Sequence, residues 1–152
     1  MERTGFLHSY LPYLLRQADQ TLSAPFYGVL TRAGVARSEW RVLAVLEELG
    51  DLGVVDLAAA SLSPQPTVTH ALRRLEERGL VTRTPRAEDK RQRVVSITDS
   101  GKALTATLIA EARRLEADAL ADAGDLTELA AQLRGLTDIV EATIDNRAAE
   151  AG

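Results

Sequence analysis

The 152-residue chain contains no cysteine, few aromatic residues and no long apolar run. The missing cysteine excludes disulfides, thiol-based redox sensing, cysteine nucleophiles and metal sites built on thiolates. Aromatic residues make up only 4% of the chain, which favours helices over a β-sandwich. No apolar stretch approaches the ~18 residues of a membrane span, and the N-terminus lacks the pattern of a signal peptide. We therefore expect a cytoplasmic protein that has no membrane partner.

Common catalytic motifs are also missing from the sequence. It has no Gly-rich phosphate loop, no Gly-x-Ser-x-Gly nucleophile elbow and no His-Glu-x-x-His element. The two histidines, His8 and His70, are far apart in the sequence, and no metal-ligand pattern surrounds either of them. We expect a protein that is not an enzyme and that has no cofactor and no metal site.

Apolar residues recur at helical spacing along most of the chain, so we predict a mainly α (α+β) fold. The predicted helices are Phe6 to about Thr31, Ser38 to Gly50, Val54 to Ser61, Ser63 to about Arg78, Asp99 to about Ala123, and Leu126 to about Asn146. Ser38 and Ser63 are the expected N-caps, and Pro25 is expected to kink or break the first helix. Two short strands, residues 80–84 and 93–98, flank a polar loop. A pair of short helices followed by such a hairpin is a winged helix-turn-helix pattern.

The formal net charge of −4 argues weakly against a nucleic-acid partner, but the charges are unevenly distributed. Residues 61–102 contain nine basic and five acidic residues, a net charge of +4, whereas residues 103–152 carry −6. DNA affinity depends on the phosphates that a local surface neutralises, not on the charge of the whole chain. Charged surfaces are often merely solvated, but a positive helix-turn-helix with a basic hairpin favours DNA binding.

Three stretches carry a resemblance to a known family. Residues 38–46 (Ser-Glu-Trp-Arg-Val-Leu-Ala-Val-Leu) resemble its second helix, and residues 66–81 resemble its recognition helix and exit. Residues 89–101 resemble its wing signature Asp-x-Arg-x-x-x-Val-x-Leu-Thr-x-x-Gly, with Ile97 in place of the leucine. On these residues the chain is similar to the MarR family of transcriptional regulators.

The resemblance implies an obligate homodimer that binds a palindromic operator in double-stranded DNA. Residues 1–34 and 99–152 would form a helical dimerisation region, and residues 35–98 the winged helix-turn-helix DNA-binding domain. Such a regulator is typically a repressor that a small molecule releases. Two alternatives remain open: a dimeric winged-helix module that binds ligands or proteins without acting through DNA, and a winged helix of another family that pairs differently.

The early recognition helix supplies the predicted base and phosphate contacts. The exposed candidates are Gln65, Pro66, Thr67, Thr69, His70 and Arg73. Gln pairs bidentately with adenine and Arg with guanine, and Thr meets a thymine methyl or a phosphate. The alternative is an ordinary solvent-facing side of the helix. Arg74 is expected to be structural and to pair with Glu76 or Glu77.

The wing loop supplies a second set of predicted contacts. Arg91, at its tip, is expected to enter the minor groove, whose negative potential attracts a guanidinium. By resemblance, Asp89 orients Arg91 or another basic side chain. Arg86, Lys90 and Arg93 are predicted phosphate contacts, although each alone is also typical of a solvated surface.

A ligand pocket is expected only from the resemblance, because small anionic aromatic molecules often bind in this family where the dimer helices meet the DNA-binding module. The candidate lining residues are Tyr10, Tyr13, Arg16 and Trp40, with Arg16 as the counter-ion. The competing interpretation is that Trp40 and the tyrosines belong to the hydrophobic core.

Overall fold

The computed structural model describes residues 5–86, 88 and 93–151, which are mostly helical with one small antiparallel sheet. In chain order the elements are α1 (Phe6–Ser9), α2 (Leu11–Ala33), α3 (Arg37–Leu49), β1 (Leu52–Gly53), α4 (Val54–Ala60), α5 (Gln65–Glu77), β2 (Val81–Pro85), β3 (Arg93–Ile97), α6 (Asp99–Ala119) and α7 (Thr127–Ala151). They fall into two compact units, Met1–Ala117 and Asp118–Gly152. The predicted mainly helical class is confirmed. Among the described residues, no helix is both long and apolar enough to cross a membrane.

The N-terminal helices differ from the prediction at a proline. Tyr10 separates α1 from α2, and α2 then continues through Pro25, where we expected a kink or a break. Phe26 and Leu30, which follow the proline, are both buried, so tertiary packing compensates for the missing N–H group. Gly34 ends α2 in the left-handed conformation, with φ of 67°.

Two helix starts also differ from the predicted serine caps. The N-cap of α3 is Ala36, and Ser38 lies inside the first turn. The backbone N–H of Ala36 donates to Glu39 Oε2 at 2.9 Å, so a buried carboxylate satisfies this helix end. The N-cap of α5 is Pro64, and the Ser63 hydroxyl instead donates to a carbonyl of the preceding turn.

Helices α3, α4 and α5 pack with the sheet around one hydrophobic core. The buried core residues are Val42, Leu43, Leu46, Leu57, Ala58, Val68, Ala71, Leu72, Leu75, Leu80, Val81 and Val95. Those of α5 recur at three- and four-residue spacing and therefore occupy one side of the helix. The opposite side of α5 is left to face outward.

The sheet has the strand order β1-β3-β2, with both pairs antiparallel. Its register pairs Val81 with Ile97 at one end of the hairpin and Pro85 with Arg93 at the other. The hairpin was predicted, but β1 was not, because two residues are too few for an alternating pattern. The central strand β3 is anchored by Val95, which is fully buried.

The junction of the hairpin with α6 explains the Thr-x-x-Gly end of the wing signature. The Thr98 hydroxyl donates to the Gly79 carbonyl at 2.7 Å and accepts the Gly101 N–H at 3.1 Å, so Thr98 caps α6. Gly101 is buried against the Leu80 carbonyl oxygen and the Ile97 side chain, and this space cannot hold a Cβ. The signature glycine is therefore required by a close backbone approach.

A second buried cluster joins α2 and α6 within the larger unit. Its buried members are Phe26, Leu30, Val35 and Leu108. The Trp40 ring packs edge-on against the Phe26 ring, with 4.9 Å between the centroids. Trp40 thus contributes to the hydrophobic core.

Helix α7 begins at an aspartate cap in the second unit. Asp125 Oδ1 accepts hydrogen bonds from the Thr127 hydroxyl at 2.6 Å and from the Thr127 N–H at 3.0 Å, which lower the pKa of Asp125. No residue of α7 is buried. Its exposed large apolar residues are Leu129, Leu133, Ile139, Val140 and Ile144. Helix α7 therefore carries a row of exposed apolar side chains.

Candidate nucleic-acid interface

The outward side of α5 carries the residues that we predicted as base and phosphate contacts. Gln65, Pro66, Thr67, His70 and Arg73 are exposed and Thr69 is half-buried. Five of the six line one open concavity of about 390 Å³: Gln65, Pro66, Thr69, His70 and Arg73. Thr67 lies in the same first turn of the helix. The structure thus brings these candidates together on one surface.

This surface offers several polar groups in a line. Gln65, Thr69 and Arg73 are spaced four residues apart and therefore share a stripe along α5. The stripe contributes an amide, a hydroxyl and a guanidinium, and His70 adds an imidazole. An amide and a guanidinium separated along a helix have the chemistry that base edges in a major groove require. The arrangement is suited to reading double-stranded DNA.

The arginines at the end of α5 divide into two groups by their contacts. Arg74 Nε lies 2.9 Å from Oε1 of Glu39, whose side chain is 1% exposed. Arg78 Nη1 donates to the Gly34 carbonyl at 2.8 Å. In the described part of the chain, Arg73 has no such ion pair. Arg74 and Arg78 thus attach the end of α5 to neighbouring segments of the chain, and Arg73 remains available at the concavity.

The expected partner of Arg74 was wrong, although its structural role was right. We predicted a pair with Glu76 or Glu77, which are near it on the same helix. The cation instead contacts Glu39 of α3, because a buried carboxylate needs a charged or hydrogen-bonding partner more than an exposed one does. The burial of an acidic residue inside a predicted helix start leaves no signal in the sequence.

A second ion pair connects α5 to the hairpin. Arg83 Nε lies 2.6 Å from Glu76 Oε1, and Arg83 Nη2 lies 2.8 Å from Glu76 Oε2. The hydrogen bonds from Arg83 and the positive charges of Arg83 and Arg93 lower the pKa of Glu76 below its ordinary value, and the pair raises the pKa of Arg83. No motif in the sequence marks either residue.

Two of the predicted phosphate contacts, at the base of the wing, lie within the described residues. Arg86 and Arg93 are exposed on either side of the loop. Together with Arg83 and the start of α4 they border an open concavity of about 470 Å³. Asp89, Lys90 and Arg91, predicted to act at the wing tip, lie outside the described residues.

Three of the four predicted ligand residues lie together near the N-terminus. Tyr10, Tyr13 and Arg16 line an open concavity of about 630 Å³ formed by α1 and α2. Trp40 is not with them, because its ring packs against Phe26 in the core. Within the described ranges, no three His, Asp or Glu side chains are placed to hold a metal ion.

Comparison with known proteins identifies similar sequences. A sequence model of the MarR family matches residues 35–92, the segment that contains α4 and α5. The transcriptional regulator FarR of Neisseria gonorrhoeae is 33% identical over 97 residues, which cover 64% of this chain and 66% of that protein. The homoprotocatechuate degradative operon repressor of Escherichia coli is 32% identical over 120 residues, which cover 76% of this chain and 81% of that protein.

Solved structures with a similar fold cover nearly the whole chain. A MarR family transcriptional regulator from Silicibacter pomeroyi is 34% identical, with a TM-score of 0.78 over 90% of this chain and 98% of its own. NadR, solved with 4-hydroxyphenylacetate, is 27% identical, with a TM-score of 0.77 over 91% and 97%. BpsR of Bordetella bronchiseptica, whose DNA binding is regulated by 6-hydroxynicotinic acid, is 25% identical, with a TM-score of 0.71 over 86% and 98%.

Proposed function

This chain belongs to the MarR family of transcriptional regulators, and from that premise we propose that it is a homodimeric repressor of a palindromic operator. The observation that carries the proposal is the outward side of α5, where Gln65, Thr69 and Arg73 form one polar stripe beside His70. In this proposal the stripe reads base edges in the major groove of double-stranded DNA.

The wing supplies the second part of the contact. Arg91 enters the minor groove and Asp89 orients it or a neighbouring basic side chain. Phosphate contacts come from Arg86, Lys90 and Arg93, and from Thr67 in the first turn of α5, where the neighbouring Pro66 has no N–H and supplies an apolar contact instead. If Arg91 contacts the groove or a phosphate, Arg91→Ala reduces the slope of log affinity against log salt by about one unit. An unchanged slope would refute the assignment of Arg91.

The terminal helices form the dimer in this proposal. Residues 1–34 and 99–152 are the dimerisation region, and residues 35–98 are the DNA-binding domain. In support, Phe6, Leu7 and Leu11 at the N-terminus are about half or more exposed in the single chain. Exposed apolar side chains also run along α7, none of whose residues is buried. A twofold dimer presents two recognition helices to half-sites about 10 bp apart.

We propose a small anionic aromatic acid as the effector that releases the operator. The concavity combines the rings of Tyr10 and Tyr13 with one cation, Arg16, and one carboxylate, Asp19, so an aromatic carboxylate would bind on its Arg16 side. Relatives support this chemistry, since NadR was solved with 4-hydroxyphenylacetate and BpsR is regulated by 6-hydroxynicotinic acid. In this proposal Trp40 does not contact the effector and packs in the hydrophobic core against Phe26 of α2.

The DNA-binding proposal is tested by selection from a random-sequence duplex library with the purified full-length protein. We expect enrichment of a palindrome, and a shifted band with the region upstream of the chain's own gene. Recovery of no common sequence would refute the proposal and favour a winged-helix module that does not act through DNA.

The effector proposal is tested by titrating 4-hydroxyphenylacetate into the protein bound to its selected duplex. We expect release from the wild-type protein and a reduced response in Arg16→Ala. Arg41→Ala is the matched control, because Arg41 is an exposed arginine of α3 that does not border the concavity. An equal response of both variants would remove Arg16 from the site.

A further inference from the structure

The ion pair between Glu76 and Arg83 joins two elements that both face the proposed DNA. Glu76 lies in the last turn of α5, and Arg83 is the third residue of β2. Two guanidinium nitrogens meet the two carboxylate oxygens at 2.6 and 2.8 Å. A two-point contact between planar groups fixes their relative orientation as well as their distance.

The other contacts between the hairpin and the link after α5 lie farther from the wing loop, while β3 is also held by its pairing with β1 at Val94 and Val95. At the α6 end of the hairpin, the Thr98 N–H donates to the Leu80 carbonyl at 3.0 Å and the Thr98 hydroxyl binds Gly79. Arg83 pairs with Val95 in the sheet, three residues nearer to the loop than Leu80 and Thr98. Among the described residues, Glu76–Arg83 is the ion pair that links α5 to the wing strands.

The chain between these two elements is short and contains a glycine in the left-handed conformation. Residues 78–80 connect α5 to β2, and Gly79 in this link has a φ of 70°. Strand β1 holds the β3 side of the hairpin through Val94 and Val95, whereas β2 is the outer strand on the other side, and a small tilt at the base of the hairpin moves the loop by more. A side-chain contact partway along the hairpin restrains that tilt.

We propose that Glu76 is a positioning residue for DNA binding, because by holding Arg83 it fixes the tilt of the β2–β3 wing relative to α5. The wing tip and the outward side of α5 can then engage DNA at the same time without the cost of ordering the wing on binding. This inference rests on the proposed DNA-binding function and adds a role for two residues that do not themselves contact the DNA.

The proposal and simple electrostatics predict opposite signs for the same substitution. Glu76→Gln removes a negative charge from a surface that faces phosphates, so charge alone would strengthen DNA binding. It would also release Arg83, which could then reach a phosphate itself. If Glu76 positions the wing, the same substitution weakens binding. The sign of the change therefore separates the two accounts.

The neighbouring glutamate provides a matched control. Glu77 is exposed, lies on the same helix, and forms no ion pair in the part of the chain that the structure describes. Glu77→Gln removes the same charge one residue away and leaves the contact to the wing intact. We expect its DNA affinity to equal or exceed that of the wild-type protein.

The measurement is a fluorescence-anisotropy titration of the selected duplex with full-length protein over a series of salt concentrations. We expect Glu76→Gln to bind about fivefold more weakly, the size of a partly exposed ion pair expressed as affinity. Arg83→Lys, which keeps the charge and loses the two-point contact, should change affinity in the same direction. Tighter binding by Glu76→Gln, or equal losses in Glu76→Gln and Glu77→Gln, would overturn the proposal.

A double-mutant cycle with the wing tip separates positioning from a general loss of stability. In an Arg91→Ala background the minor-groove contact of the wing is gone and only its phosphate contacts remain, so we expect Glu76→Gln to cause a smaller further loss. The same fivefold loss in both backgrounds would mean that Glu76 acts elsewhere, and would refute the inference. A wild-type protein that binds no duplex would instead refute the proposed function.

Discussion

Arg74 on α5 lies 2.9 Å from the carboxylate of Glu39 on α3, which is buried and also caps its own helix through Ala36. The contact fixes the recognition helix to the helix behind it. It also separates two adjacent arginines by role, because Arg73 points to the concavity on the other side of α5. The consequence is that neighbouring arginines should respond differently to the same substitution.

We predict that Arg74→Ala mainly lowers the stability of the fold, whereas Arg73→Ala mainly lowers the affinity for DNA. Arg74→Ala leaves a buried carboxylate without its cation and should lower the free energy of unfolding by about 1–3 kcal/mol. Arg73→Ala should change that free energy by about 0.5 kcal/mol or less, yet weaken binding to the selected duplex by about 1–3 kcal/mol. Urea denaturation and DNA titration of both variants measure the two effects. Similar profiles for the two variants would contradict the division of roles.

We predict that Gly101→Ala is strongly destabilising. Its Cβ would lie 2.7 Å from Ile97 Cγ1 and still closer to the Leu80 carbonyl oxygen, so the backbone must shift. Overpacking of this kind should lower the free energy of unfolding by about 3 kcal/mol.

Gly28→Ala provides the control for this prediction, because the added Cβ meets only the Arg32 side chain, at an ordinary 3.5 Å, within helix α2. That variant should be neutral or gain up to about 1 kcal/mol in helix propensity. Thermal unfolding compares the two, and an undiminished midpoint for Gly101→Ala would show that the junction is looser than described.

We predict that charges on the apolar side of α7 disrupt the proposed dimer. Leu133→Glu or Val140→Glu places a carboxylate on a surface that a second chain covers in this account, and should produce monomers or aggregates. Leu49→Glu, at an exposed leucine of α3, should leave the dimer intact. Light scattering coupled to size-exclusion chromatography reports the molar mass. Dimers in all three variants would exclude this side of α7 from the interface.

We predict a pH-dependent contribution of Glu76 to stability. Because Arg83 lowers the pKa of Glu76 below its ordinary value of 4.5, the pair stabilises the fold at neutral pH, and this stabilisation is lost as the pH falls through the lowered pKa. The difference in unfolding free energy between the wild-type protein and Glu76→Gln should be largest near pH 7 and shrink below about pH 4.5. Urea denaturation at several pH values measures it. A difference that grows in acid would contradict the pairing.

The sequence predicted the elements whose signals are local. The recognition helix is recognisable from Val68, Ala71, Leu72 and Leu75 at helical spacing, and the outward positions follow from the same periodicity. Strand β1 was missed because two residues carry no pattern. The hairpin was predicted from its alternating residues, which report on the strands but not on what holds them against α5.

The missed features depend on partners that are distant along the chain or on burial. Arg74 pairs with Glu39, 35 positions earlier, and only the packing of α3 on α5 brings them together. Pro25 remains within a helix because Phe26 and Leu30, which follow it, are buried in a cluster with Leu108 of α6 and the Trp40 ring of α3. Local propensity cannot report either fact, since both depend on tertiary packing.

The most direct test of the account is the specificity of wild-type DNA binding. The affinity for the selected palindromic duplex is compared with that for a shuffled duplex of the same composition, at one physiological salt concentration. We expect a ratio of at least about 10³, with Arg73→Ala reducing it and Arg74→Ala sparing it in the folded protein. Equal affinity for both duplexes would contradict the claim that the outward side of α5 reads DNA sequence.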